Sequence, residues 1–181
     1  MQKEIVIPAL EEWDPIKEEF VEPGKDVKLI LMHSLISISK WEAKWQKPFL
    51  GREEKTPEQL LDYIKCMTIN KVDPEVYNRL TQENIREINE YIEAPMTATT
   101  FHDRGGPPNR EVVTSEVIYY QMIALHIPVE FEKWHLNRLM TLIKVCAIKN
   151  DPNPKKVPKA DLARQRSKLN AQRRKALHTR G

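Results

Sequence analysis

Three prolines fall within eight residues in Asp151-Pro152-Asn153-Pro154-Lys155-Lys156-Val157-Pro158. A proline ring fixes φ and removes a backbone donor, so this stretch forbids a helix and favours extended backbone. It divides the chain into a body, 1–150, and an arm, 151–181. The same division appears in the charge. From residue 149 onward there are eleven Lys/Arg against two acids, whereas 1–148 holds eighteen against twenty-four. A mildly acidic body therefore carries a strongly basic arm, the asymmetry expected of a segment that engages nucleic acid, a membrane surface or an acidic partner.

A length of 181 residues suits one compact domain plus an appendage, or two very small domains, and 40% hydrophobic side chains suffice for one core. No run reaches the roughly 18 apolar residues of a membrane-spanning helix, because His33 and Ser34 interrupt the apolar stretch 29–35. An early acid, Glu4, and the lack of a long apolar stretch at the start predict no signal peptide. Cys66 and Cys146 lie far apart in apolar periodic segments, and are expected to be reduced, buried and inert.

Within the body, residues 4–31 read as short extended pieces. Ile5-Val6-Ile7 stops at Pro8, Glu19-Phe20-Val21 runs into the turn Glu22-Pro23-Gly24-Lys25, and 27–31 is an apolar-leaning run. A small hairpin or three-stranded ribbon follows, which must pack on helices because an isolated hairpin is marginal. Ser34 starts a first helix with Leu35, Ile38, Trp41, Glu42 and Trp45 at three- and four-residue steps, ending before Pro48. Thr56-Pro57-Glu58-Gln59 is a compact start signal: Thr56 caps, Pro57 takes the first helical position and Glu58 suits the positive end. Leu60, Leu61, Ile64 and Met67 form the expected buried stripe of this second helix. Asp73-Pro74-Glu75 repeats the logic for a short helix over 74–80, and Thr81 precedes another carrying Ile85, Ile88 and Ile92.

Residues 94–113 have no helical period, and His102-Asp103-Arg104-Gly105-Gly106-Pro107-Pro108 is the most broken stretch of the chain. It reads as a long loop, either a connector or a partner-binding segment. Thr114-Ser115-Glu116 restarts a helix with Val117, Ile118, Tyr120, Met122 and Leu125, and a last core helix is predicted over 129–148. Phe131, Trp134, Leu139, Leu142 and Cys146 trace one face of it, widened by Leu136, Ile143 and Val145, which predicts packing on two sides. Beyond the proline-rich linker, 160–177 is rich in Ala, Arg, Gln, Lys and Leu and predicts an arm helix anchored only by Leu162, Leu169 and Leu177. The fold expected is mainly α, with a small N-terminal β element and a basic helical arm.

The chain offers little for catalysis, and no enzymatic role, cofactor or metal is expected. None of His33, His102, His126, His135 and His178 has a His or Cys neighbour at metal-site spacing. His126 and His135 need no role beyond ordinary hydrogen bonding, and His102-Asp103 lacks a placed nucleophile. Gly105-Gly106-Pro107-Pro108 is no phosphate cradle, since no Lys-Ser/Thr follows and the prolines remove donors. The acid pairs Glu11-Glu12, Glu18-Glu19 and Glu53-Glu54 read as solvated surface. In the arm, ten basic side chains from Lys155 to Arg180, with Arg164, Arg166, Arg173 and Arg174 among them, are able to engage phosphates, with steep salt dependence. The arm has no aromatic residue for base stacking. A helix-prone stretch with three leucines fits a groove or acidic surface of a protein better, and the plain alternative is a solvated tail.

Several segments together resemble the tail assembly chaperones of long-tailed bacteriophages, particularly those of Gram-positive hosts. They are His33-Ser34-Leu35-Ile36-Ser37-Ile38-Ser39-Lys40-Trp41-Glu42, Lys55-Thr56-Pro57-Glu58-Gln59 with Tyr63-Ile64-Lys65-Cys66-Met67-Thr68, and Met96-Thr97-Ala98-Thr99-Thr100-Phe101. Thr114-Ser115-Glu116-Val117-Ile118-Tyr119-Tyr120, Trp134-His135-Leu136-Asn137-Arg138-Leu139 and the closing Arg/Lys-rich run extend the likeness from about residue 27 to the end. Each block is weakly specific; their order and number carry it. The resemblance implies a non-catalytic protein of the host cytoplasm, absent from the mature virion, that binds the long helical tape measure protein and keeps it soluble until tail-tube subunits polymerise around it. It also implies possible self-association and a longer, frameshifted form. The candidate contacts are Phe131, Trp134, Arg138 and Leu142 on the last core helix, the 94–113 loop, and Arg164, Arg166, Leu169, Arg173 and Arg174 on the arm. Two readings from other classes stand beside it: a nucleic-acid-binding accessory protein acting through the arm, and a structural connector of the virion.

Overall fold

The computed structural model describes residues 2–9, 12–14, 16, 19–21, 25–101, 112–152 and 159–177. The chain divides into two compact units, Met1–Ala147 and Ile148–Gly181. It is mainly helical with a small antiparallel β element at its start. In order come β1 (Lys3–Ile7), β2 (Glu12–Asp14), β3 (Glu19–Val21), β4 (Val27–Leu31), α1 (Leu35–Trp45) and α2 (Pro57–Met67). A 3₁₀ turn (Pro74–Arg79), α3 (Gln82–Glu93), α4 (Ser115–Ala124), a second 3₁₀ turn (Val129–Lys133), α5 (Leu136–Asn150) and α6 (Lys159–Leu177) follow.

The small hairpin expected within 4–31 is present, and its partners come from the two ends of that stretch. β1 pairs with β4, placing Ile5 opposite Leu29, and β2 pairs with β3 inside the loop between them. The turn expected at 22–25 lies mostly outside the described residues, and β3 and β4 on either side of it are not partners. Alternation decides the outcome. Ile5 and Ile7 on β1, and Leu29 and Leu31 on β4, point to one face and are all buried, while Val6 faces out. Both edges of this pair are covered. Met32 N–H donates to the Met67 carbonyl (2.8 Å) and Ile69 N–H to that of Ile30 (2.9 Å). The Asn70 amide then imitates a strand, accepting from Ile30 N–H and donating to the Lys28 carbonyl, both at 2.8 Å. On the other edge, the Asn84 side chain of α3 donates to the Val6 carbonyl (3.1 Å).

The helix starts follow from their caps. Ser34, Thr56 and Thr81 each accept from the third backbone N–H of their helix, and each N3 side chain answers back to the cap N–H. α2 is rotated from the expected stripe. Ile64 and Met67 are buried, with Tyr63, Gln59 and Asp62, but Leu61 is half-buried and Leu60 is 50% exposed. The cause lies in α1. Trp41 Nε1–H donates to the Gln59 carbonyl and Trp45 Nε1–H to Asp62 Oδ2, both at 2.9 Å, and Lys44 pairs with the same Asp62 carboxylate. These bonds turn the polar side of α2 toward α1 and swing Leu60 outward.

The helix expected over 129–148 is broken. A 3₁₀ turn precedes Trp134-His135, and α5 begins only at Leu136. His135 is drawn into the core, where its Nε2 bonds the Tyr91 carbonyl (2.9 Å). The first N–H of α5, on Leu136, donates to the His33 carbonyl (3.0 Å), so the helix is capped from far earlier in the chain. Its buried face is centred on Leu136, Leu139 and Ile143, with Phe131, Trp134, Leu142 and Cys146 half-buried at the flank. Both cysteines are free and half-buried rather than fully buried, and burial pushes the Cys66 thiol up. The expected linker falls mostly outside the described residues, as do His102-Asp103 and Gly105-Gly106-Pro107-Pro108; the arm helix is present as α6.

Candidate docking groove

Asp73 Oδ1 accepts from Glu75 N–H (2.9 Å), and Pro74 takes the first position of the 3₁₀ turn, which buries Val76 and Tyr77. Thr81 then caps α3 almost at once, so α2, the turn and α3 form a closely connected unit. Between them lies an apolar groove of about 360 Å³, a size at the low end of ligand sites. α2 contributes Leu60, Leu61 and Ile64, the turn Tyr77 and Leu80, and α3 Ile85, Ile88 and Ile92, with Asn89 at the side. The polar side chains of the lining are Tyr63, Tyr77 and Asn89, and the Tyr63 hydroxyl is already bonded to His33. Aliphatic walls of this kind accept aliphatic side chains, and completing the burial of Leu60 is worth about 1 kcal/mol.

The expected contact residues form a second feature. Phe131 and Trp134 stack with ring centroids 4.1 Å apart, and the Arg138 guanidinium lies 4.1 Å over the Trp134 ring. Leu142 follows one turn beyond Arg138, half-buried against the core. The structure thus brings Phe131, Trp134 and Arg138 into one column of the kind that anchors interfaces. Of the 94–113 loop, Phe101 lies under the Lys144 ammonium (4.4 Å) on α5. Arg164, Arg166, Leu169, Arg173 and Arg174 are all exposed on α6, in the other unit. α4 presents apolar side chains on two sides, with Ile118 and Met122 buried but Tyr120 and Ile123 at 70% and 74% exposure.

The cluster that chemistry would favour is sealed. His33 and His135 lie with ring centroids 4.9 Å apart, flanked by Tyr63 and Tyr91. His33 Nδ1 bonds the Tyr63 hydroxyl (2.5 Å), and the Tyr91 hydroxyl accepts from His33 N–H (3.1 Å). Asn137 N–H donates to His135 Nδ1 (3.3 Å), which leaves Nε2–H to donate to the Tyr91 carbonyl. Burial holds the His33 imidazole down at about 3, with the neighbouring His135 adding to the effect, and burial also lowers His135 and raises both tyrosines. All four groups stay neutral at ordinary pH and satisfy one another, which ties α1, α2, α3 and α5 together. Among the described residues, no group of three or more His, Cys, Asp or Glu is placed to hold a metal ion.

A second polar tie is built on Glu42. Its buried carboxylate accepts from Phe49 N–H (2.7 Å) and from Ser115 N–H (2.8 Å), the first donor of α4. Neither this tie nor the histidine junction has a local sequence signal, because each joins residues from distant segments. The groove does leave a trace in the sequence. α2 carries apolar residues around more of its circumference than one neighbour can bury. No protein-family model, curated protein or solved structure matches the chain.

Proposed function

We propose that this chain is a non-catalytic, helix-binding chaperone of bacteriophage tail assembly. It holds an amphipathic segment of the tape measure protein in the α2–α3 groove and keeps that protein soluble in the host cytoplasm, taking no place in the finished virion. The observation that carries this reading is the groove itself: an aliphatic trough between two helices, with Leu60 half-exposed at its mouth. Apolar residues recurring every three or four positions on a client helix fit such a trough. The segments Lys55-Thr56-Pro57-Glu58-Gln59 and Tyr63-Ile64, which carry part of the resemblance, cap and build its α2 wall. The Phe131–Trp134–Arg138 column is a further candidate contact. Co-expression with a tape measure protein tests the reading. Co-purification and a gain in soluble client are expected, both lost with Leu60→Asp; neither effect in the unaltered chain would sink the proposal.

The exposed basic helix α6 favours a second reading, a nucleic-acid-binding accessory protein. Binding of generic DNA that weakens steeply with salt and vanishes on deletion of 155–181 would favour it over the first.

A further inference from the structure

The segment that builds the groove and the arm helix carry opposite charge. Residues 57–93 hold eight acids against four Lys/Arg, whereas α6 holds seven Lys/Arg against one acid over Lys159–Leu177. On α3, Arg86 pairs with Glu83 and lies 3.9 Å from Glu90, and Lys3 of β1 pairs with Glu87, so four glutamates of the helix stand against two cations.

The apolar spacing matches as well. The α3 wall presents Ile85, Ile88 and Ile92, so its aliphatic run spans seven residues, two helical turns or roughly 10 Å. In the sequence of α6, Leu162 and Leu169 stand seven positions apart, a separation equal to two helical turns. Leu169 stands 48% exposed on a helix whose described side chains are all solvent-facing. A helix so poor in apolar residues gains little stability from its own side chains, and a groove of opposite charge offers it both apolar and ionic contacts.

We propose that the α2–α3 groove receives α6 of a second copy of this chain, so that the protein self-associates by exchange of arms. Leu169 of α6 enters the trough lined by Leu60, Ile64, Ile85, Ile88 and Ile92, and the exposed Arg164, Arg166, Lys168, Arg173 and Arg174 face the acidic segment around it. Two copies related by a two-fold axis satisfy both grooves at once, a closed arrangement. The exchange occupies the surface proposed above for the client, so client and arm compete, but it requires only the groove and the arm.

Sedimentation velocity on the full chain, across a wide concentration range and at low and high salt, tests the exchange. A concentration-dependent dimer that weakens as salt rises is expected. Leu60→Asp and Leu169→Asp each alter a half-exposed side chain and should leave the circular dichroism spectrum unchanged. Each alone should weaken association at least about tenfold, the effect of truncating a central contact. Mixing the two variants should restore part of it, since the first keeps a sound arm and the second a sound groove. A monomer at every concentration overturns the proposal. So does a dimer indifferent to both substitutions, or to salt, or a mixture that associates no better than its components. No client helix enters the experiment, so its failure leaves the chaperone reading standing, and failure of client binding leaves the exchange standing.

Discussion

α2 has two neighbours and meets them in opposite ways. Against α1 it is locked by directional bonds, with two indole N–H groups donating to the Gln59 carbonyl and to Asp62, and Trp41 filling the space between. Toward α3 and the 3₁₀ turn its groove-lining side chains are mostly aliphatic, with Tyr63 the exception, and about 360 Å³ is left unfilled. Apolar contact alone is non-directional, so it does not dictate how closely two helices must approach. The polar locks on the α1 side position α2, and the gap persists along Leu60, Leu61 and Ile64, whose side chains make no such bonds. A single short helix thus carries one closed interface and one open one.

The comparison breaks most severely if the α1 side is damaged. Trp41→Ala removes a fully buried indole and strands the Gln59 carbonyl, so a loss of about 3–5 kcal/mol is expected, read as a fall in the denaturant midpoint. A loss below about 1 kcal/mol would show that the indole does not lock α2. Next in size is the histidine junction, which holds the α1 end of the scaffold to α5. The His33 imidazole is held near 3 in the folded chain against an ordinary 6.5, so the unfolded chain binds the extra proton between those values. Its contribution is complete above 6.5 and is lost as pH falls toward 3, by an amount on the order of a few kcal/mol. Denaturation of the wild type and of His33→Gln across that window should converge as the pH drops; parallel curves would show that His33 is not held neutral.

Glu42→Gln is expected to cost about 1–3 kcal/mol, because one of two buried backbone donors then faces an amide NH₂ instead of an acceptor. A midpoint within error of the wild type would show that the carboxylate is not needed to hold the α1–α4 join. The smallest effect sharpens the contrast from the other side. Leu60→Asp, at the open face, should change stability by less than about 0.5 kcal/mol while abolishing client capture. A large destabilisation there would mean that the groove is part of the core after all.

Elements with local causes were legible in the sequence. Ser34, Thr56, Asp73, Thr81 and Thr114 sit beside the turns they cap, and each accepts the bond its spacing predicts. The helical arm follows from composition in the same way. What escaped was set from a distance. Spacing makes Leu60 a buried residue, and only the Trp41 and Trp45 indoles turn it out. Periodicity carries a helix through Trp134-His135, and only the His33 carbonyl and the Tyr91 carbonyl stop it there. Pro23-Gly24 signals a turn without naming the strands that pair, and the buried alternation of Ile5, Ile7, Leu29 and Leu31 pairs β1 with β4. Of the contact residues read from the sequence, Phe131, Trp134 and Arg138 do converge. The groove was harder to foresee because its walls come from three elements, and its openness reflects what the opposite side of α2 is bonded to.

The Glu42 carboxylate has a consequence in time as well as in space. Ser34, Thr56 and Thr81 are each three residues from the N–H they serve, so those helices are able to start as soon as their own segments fluctuate into place. The first donor of α4 is served instead by a side chain 73 residues earlier, available only after α1 has docked. Closing so long a loop comes late in assembly, so this bond belongs to the final consolidation of the native state and not to its nucleus. Weakening it should therefore speed unfolding while leaving the refolding rate nearly unchanged, making Glu42 a latch on the lifetime of the folded protein.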